Sequence, residues 1–157
     1  MSAHIALIKG DGIGADVCDA TTYLVDLCLR LVGEAPLAIT MINAGAAYFQ
    51  ETGADIEAGG EDIAGKCDAI FLGAIGLPSI RHPNGTEISP HLRLRERFQL
   101  YAGVRPVKAY PNIPQKLADP RAASIDFIVI RESTEGLFHS AAVHNRSHID
   151  ADFAVEE

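Results

Sequence analysis

The sequence predicts an α/β fold whose sheet has parallel neighbours. Two observations carry that expectation: short apolar runs rich in β-branched residues that end in glycine, and segments of helical period placed between them. Ile5-Ala6-Leu7-Ile8 runs into Gly10-Asp11-Gly12-Ile13-Gly14 and reads as a buried strand followed by a tight turn. From Ala15 to Val32 the residues Val17, Ala20, Leu24, Leu27, Leu29 and Leu31 recur at roughly helical intervals, and Gly33 follows as a natural stop. Leu37 to Ile42 reads as a second strand, and Ala44 to Glu51 as a short helix closed by Gly53. Asp68 to Gly73 is a third strand. Ala74 to Gly85 contains Gly76, Pro78 and Pro83 and reads as a long loop. His91 to Phe98 reads as a helix carrying Arg93, Arg95 and Arg97. Leu100 to Val107 is expected to be extended, stopped by Pro106 and Pro111, and Ile125 to Ile130 to form another apolar strand. After Arg131 the pattern weakens, and 139–157 reads as a polar strand or arm. The Pro-rich stretch 106–120 is a candidate boundary or crossover.

Composition removes several functions. The 157 residues hold 13 Lys+Arg against 21 Asp+Glu, a formal net charge of −8. Nonspecific binding along a phosphate backbone needs a basic face, so nucleic acid is not an expected partner. No apolar run approaches the ~20 residues that span a bilayer, and the start, Met1-Ser2-Ala3-His4-Ile5, lacks the pattern of a secretory signal. Cys18, Cys28 and Cys67 are odd in number and show no C-x-x-C spacing, which argues against a disulfide framework or structural zinc and for a reducing cytoplasm.

The glycine cluster is not a Rossmann fingerprint. That needs G-x-G-x-x-G, whereas Gly10, Gly12 and Gly14 give G-x-G-x-G, with Ala15 where the third glycine would stand. No Lys-Ser/Thr follows, so it is not a P-loop. A plain strand-to-helix turn suffices, although open α/β sheets bind ligands at such strand ends. The arginines say more. Arg93, Arg95 and Arg97 lie on a predicted helix, Arg105 ends an extended segment, and Arg131 directly follows an apolar strand. Any one of these has an ordinary explanation as a surface salt bridge. Guanidinium groups at the ends of separate elements also suit a polycarboxylate, because the planar fork pairs carboxylates bidentately. His82, His139, His144 and His148 have no metal-binding spacing, and no G-x-S-x-G elbow is present.

Five segments in order carry a resemblance: Gly10–Gly14, Leu72-Gly73-Ala74-Ile75-Gly76-Leu77-Pro78, Leu94-Arg95-Glu96, Val104-Arg105-Pro106-Val107 and Val129-Ile130-Arg131-Glu132-Ser133-Thr134-Glu135-Gly136. Together they resemble the isocitrate/isopropylmalate dehydrogenase family of β-decarboxylating dehydrogenases. The resemblance implies a mixed sheet flanked by helices and a non-Rossmann cofactor site. It implies that 1–99 is the first part of a cofactor-side domain and 100–157 the start of a substrate and dimerisation domain. It further implies oxidation of a 2-hydroxy acid with NAD or NADP, then loss of the β-carboxylate with Mg2+ or Mn2+, in a cytoplasmic homodimer. Position by position, Arg95, Arg105 and Arg131 match the substrate arginines, and Ile13, Gly73, Ala74 and Ile75 lie in segments that line the nicotinamide side.

Three differences from the family pattern stand out. Phe138 occupies the place of the catalytic tyrosine and has no hydroxyl, which makes the neighbouring His139 the candidate catalytic proton donor. Ile88-Ser89-Pro90-His91-Leu92, where the family selects its substrate, is neither the Leu-rich isopropylmalate form nor the Ser-x-Asn isocitrate form; its Ser-Pro opening resembles homoisocitrate-type enzymes. Family members are also longer, so the metal aspartates, a lysine supplied across the dimer and the adenosine loop are expected beyond residue 157. A catalytically inactive, polycarboxylate-binding partner subunit is the alternative. Phe138→Tyr should raise turnover if the missing hydroxyl limits the acid step; an unchanged or lower rate in a steady-state assay would assign the donor to His139 or water.

Overall fold

The computed structural model describes residues 2–132, Thr134, His148–Ile149 and Ala154–Val155. The chain divides into two compact units, Met1–Leu94 and Arg95–Glu157.

The first unit is a three-stranded parallel sheet in the order β2-β1-β3, with β1 at His4–Gly10, β2 at Ala38–Met41 and β3 at Ala69–Ala74. The parallel pairing follows from the helices that return the chain between strands. Helix α1 (Gly14–Val32) packs on β1 and β3 and stops at Gly33, whose φ of 76° is left-handed. Helix α2 (Ala46–Thr52) stops the same way at Gly53. A third helix, α3 (Gly60–Ala64), packs against β1 and has no counterpart in the periodicity, because five residues are too short to show one. Strand β1 alternates. Ala6 and Ile8 point to one face and are almost wholly buried, while Ile5 and Leu7 point to the other, beneath α1.

The apolar residues of α1 fall into two sets. Gly14 and Cys18 are buried and Val25 and Leu29 half-buried, all facing the sheet, whereas Val17, Leu24, Leu27 and Leu31 are exposed. Between α1 and the sheet lies an apolar groove of about 410 Å³, lined by Ile5, Leu7, Val25, Leu29, Ile39 and Phe71, among others. All three cysteines are free, and burial pushes the Cys18 thiol up from its usual value.

Helix α4 (Pro90–Arg97) contains the division between the units. Its first half is tied to the first unit: Leu94 is buried, and Arg93 pairs with Asp55 and Glu61. The second unit is built on an antiparallel ribbon of β4 (Ala102–Lys108) and β5 (Asp126–Glu132). Pro106 does not stop β4, as the sequence suggested. It sits inside the ladder opposite Ile128. A two-stranded ribbon has only edge strands, so a residue without an N–H is accommodated on the outer side. A 3-10 turn at Pro120–Ser124, capped by the Asp119 carboxylate, leads into β5. Short strands β6 (His148–Ile149) and β7 (Ala154–Val155) pair antiparallel within the segment read as an arm. Among the described residues no helix is long and apolar enough to cross a membrane.

Two glycines of the first turn are constrained differently. A Cβ at Gly10 (φ 71°) would run into the Ala74 carbonyl, whereas one at Gly12 (φ 52°) would meet nothing within 4 Å. Gly10→Ala should therefore cost about 3 kcal/mol or more, and Gly12→Ala only ~1–2 kcal/mol for its left-handed backbone. Urea unfolding of the two variants checks the order, and equal losses would contradict the close approach of β1 and β3.

Candidate functional site

The turn Gly10–Gly14 and the loop after β3 leave adjacent parallel strands at the same edge. They are joined main chain to main chain, Asp11 N–H donating to the Ala74 carbonyl at 2.6 Å. Close packing excludes side chains between them. A Cβ at Gly14 would strike the Lys9 carbonyl and the Ala74 nitrogen, and one at Gly73 would meet the Lys9 carbonyl and Cys18 Sγ. Gly10, Gly14 and Gly73 therefore serve the close approach of two backbones. Of the residues matched to the nicotinamide side, Gly73 and Ala74 end β3 and Ile75 opens the loop after it, all three half-buried, and Ile13 stands exposed on the turn. Gly12 and Gly76 open onto free space, with nothing within 4 Å of an added Cβ at either. Open α/β sheets bind ligands at this carboxyl edge of their strands.

Sequence reasoning passed over Asp11. It is 3 % exposed, the buried charged side chain among the described residues. Its Oδ2 accepts from the Ala46 N–H at 2.8 Å and the Gly76 N–H at 2.7 Å, and its Oδ1 from the Ala47 N–H at 2.8 Å. Helix α2 begins at Gly45, which has no side chain to cap it, and the carboxylate that does so comes from the β1 turn. Gly45 is obligatory there, since a Cβ would lie 2.6 Å from Asp11 Oδ2. An acid enclosed by glycines at a strand end was the available signal; its partners were not.

The arginines separate into two kinds. Arg30, Arg81, Arg93 and Arg121 each hold an acid. Arg93 is the most elaborate: both of its terminal nitrogens reach Asp55 and its Nε reaches Glu61, and the Asp55 hydrogen bonds hold the guanidinium above its usual range. It is a structural clamp. Arg95 is half-buried on α4, and Arg105 is exposed on β4. Among the described residues neither forms an ion pair.

The ladder brings two of the predicted substrate arginines together. Gly103 faces Arg131 and Arg105 faces Val129, so Arg105 and Arg131 lie on one face of the ribbon as diagonal neighbours, a relation of ~7–8 Å that long side chains bridge. The strand acids Asp126 and Glu132 occupy the opposite face, where Asp126 pairs with Lys108 at 2.8 Å. Arg95 has no such register relation to the ribbon.

In the segment expected to select the substrate, Ile88 and Pro90 are core residues, and Ser89, His91 and Leu92 are half-buried. His82 packs edge-on against Phe49 at 5.0 Å. Phe138 and His139 lie outside the described residues. Among the described residues no group of three His, Cys, Asp or Glu side chains is placed to hold a metal ion.

The family profile described as isocitrate/isopropylmalate dehydrogenase matches residues 4–156. A 3-isopropylmalate dehydrogenase from Heyndrickxia coagulans is 34% identical over 143 residues, covering 88% of this chain and 38% of that protein. The decarboxylating D-malate dehydrogenase of Escherichia coli is 29% identical over 154 residues, covering 98% of this chain and 43% of that protein. The crystal structure of isocitrate dehydrogenase from Methylococcus capsulatus superposes with a TM-score of 0.69 at 25% identity, covering 97% of this chain and 39% of that one. The chain thus spans about two fifths of the length of these relatives. With a profile that runs from β1 through β7 and a shared fold, the chain belongs to the isocitrate/isopropylmalate dehydrogenase family.

Proposed function

We propose that this chain supplies the substrate arginines and the nicotinamide-side loops of an NAD- or NADP-dependent β-decarboxylating dehydrogenase. Its substrate is a small 2-hydroxy polycarboxylate of the isopropylmalate/isocitrate type. One observation carries the reading: Arg105 and Arg131 share a ribbon face from which the strand acids are absent, in a chain of net charge −8. Arg105 forms no ion pair among the described residues, and an exposed guanidinium on such a face suits an external anion. Relatives named 3-isopropylmalate dehydrogenase and decarboxylating D-malate dehydrogenase support the reaction class.

Arg105 and Arg131, joined by Arg95, bind substrate carboxylates through charge-assisted N–H donors. Holding two carboxylates fixes the direction of the C2–H bond and removes orientational freedom before reaction. A bound nicotinamide would supply the acceptor for the hydride that C2 gives up. Ile13, Gly73, Ala74 and Ile75 offer it main chain and apolar side chains, which hold water away from the transfer. His139 carries the proton in place of the hydroxyl that Phe138 lacks. The described residues do not form a site for Mg2+ or Mn2+; those ligands are assigned outside this chain, and no step is derived through the metal. A cytoplasmic homodimer accompanies this reading. The second reading, a partner subunit that binds a polycarboxylate without turnover, is favoured by Phe138 at the tyrosine position.

The test compares Arg105→Ala and Arg131→Ala with Arg93→Ala in assays over isopropylmalate, isocitrate, homoisocitrate, tartrate and malate. The first two should raise KM and lower kcat, a loss of roughly 2–5 kcal/mol of transition-state binding. Arg93→Ala should lower thermal stability by about 1 kcal/mol, a modest loss because the clamp is partly solvated, and leave the kinetics unchanged. Wild-type kinetics for both Arg105→Ala and Arg131→Ala would end the clamp assignment.

A further inference from the structure

We infer that Asp11 is a positioning residue for the cofactor-facing loop: its carboxylate fixes the Gly76 amide, and with it the backbone from Ile75 to Pro78, relative to the β1 turn and α2. The inference rests on the proposed cofactor reading for what the loop does, and on geometry alone for how it is held.

The loop after β3 has few other anchors at this point. Gly76 has a φ of 109°, left-handed, with nothing within 4 Å of a potential side chain, so packing does not set its conformation. Its N–H donates to Asp11 Oδ2 at 2.7 Å. The same oxygen takes the Ala46 N–H, and the other oxygen takes the Ala47 N–H, so the carboxylate cannot swing toward one partner without releasing another. Both carboxylate oxygens are committed in a buried site, and the Asp11 N–H holds the Ala74 carbonyl from the same residue. Asp11 therefore grips the loop at Ala74 and at Gly76, on either side of Ile75. Ile75 is one of the residues assigned to the nicotinamide side. Displacement of its backbone alters what a ring ligand meets.

Substitution separates this role from general stability. Alanine removes all acceptors. Asparagine keeps the shape and one oxygen, but its amide nitrogen must face an N–H donor, so it can serve only part of the set. Amide exchange followed by NMR on the 157-residue chain reads the three bonds individually. In Asp11→Ala the Gly76, Ala46 and Ala47 amides should exchange at least about tenfold faster than in the wild type, the weight of one charge-assisted bond. Leu7 and Thr40 in the sheet should keep their rates, and Asp11→Asn should fall between. On addition of NAD+, the wild-type Ile75 and Leu77 amide signals should shift, and in Asp11→Ala that response should weaken. An unchanged Gly76 rate in Asp11→Ala would overturn the inference. So would acceleration of the three amides only in step with the sheet, or an NAD+ response equal to the wild type. A wild-type chain whose Ile75 and Leu77 signals ignore NAD+ would instead contradict the cofactor reading, while the exchange rates still decide whether Asp11 holds the loop.

Discussion

One buried carboxylate organises the carboxyl edge of the parallel sheet. Asp11 binds three main-chain N–H groups from two segments far apart in the chain. Each bond of a charged acceptor to an amide is worth ~1.5–3 kcal/mol net when formed, and removing the acceptor strands a donor. The neighbouring glycines follow from this arrangement. Gly45 has no Cβ because the carboxylate occupies that space, and Gly10, Gly14 and Gly73 have none because the β1 turn and the β3 loop touch backbone to backbone. Gly10 and Gly14 of the G-x-G-x-G cluster thus serve packing, with the Asp11 carboxylate between them. The exposed main chain that it leaves at Gly12 and Gly76 is a by-product that suits ligand contact.

The second unit solves a different problem. Its ribbon sorts charge by the period of two: Arg105 and Arg131 on one face, Asp126, Glu132 and Lys108 on the other. Opposite charges on one face of a ladder would pair and neutralise each other. The register therefore sets the two arginines on the face away from the strand acids. The contrast with Arg93, saturated by Asp55 and Glu61, shows that acids are available where the fold uses them.

Much of the fold was legible because it is written locally. The β-branched run of β1, the period of α1 and the left-handed glycines 33 and 53 each declare an element within a few residues. What failed was non-local. Helix α3 is one turn long and stands by packing on β1. Pro106 looked like a terminator, because its tolerance depends on β4 having an open edge. Arg93 and Arg95 are alike in sequence and separate only when Asp55 and Glu61 come within reach of one of them. Asp11 was unreadable as an anchor, with partners 35, 36 and 65 residues away. The pairing of Arg105 with Arg131 was half legible: each marks the end of an apolar run, but only the antiparallel register puts both on one face.

The central claim is that the ribbon face is a receptor for a small polyanion, and calorimetric titration of the chain with malate against lactate tests it most directly. The two ligands share the 2-hydroxy acid and differ by one carboxylate. The account predicts one malate bound per chain, with affinity that falls as salt is raised and is lost in the double variant Arg105→Ala/Arg131→Ala, and no heat from lactate at the same concentrations. Equal binding of the two acids, or malate binding that persists in the double variant, would contradict it.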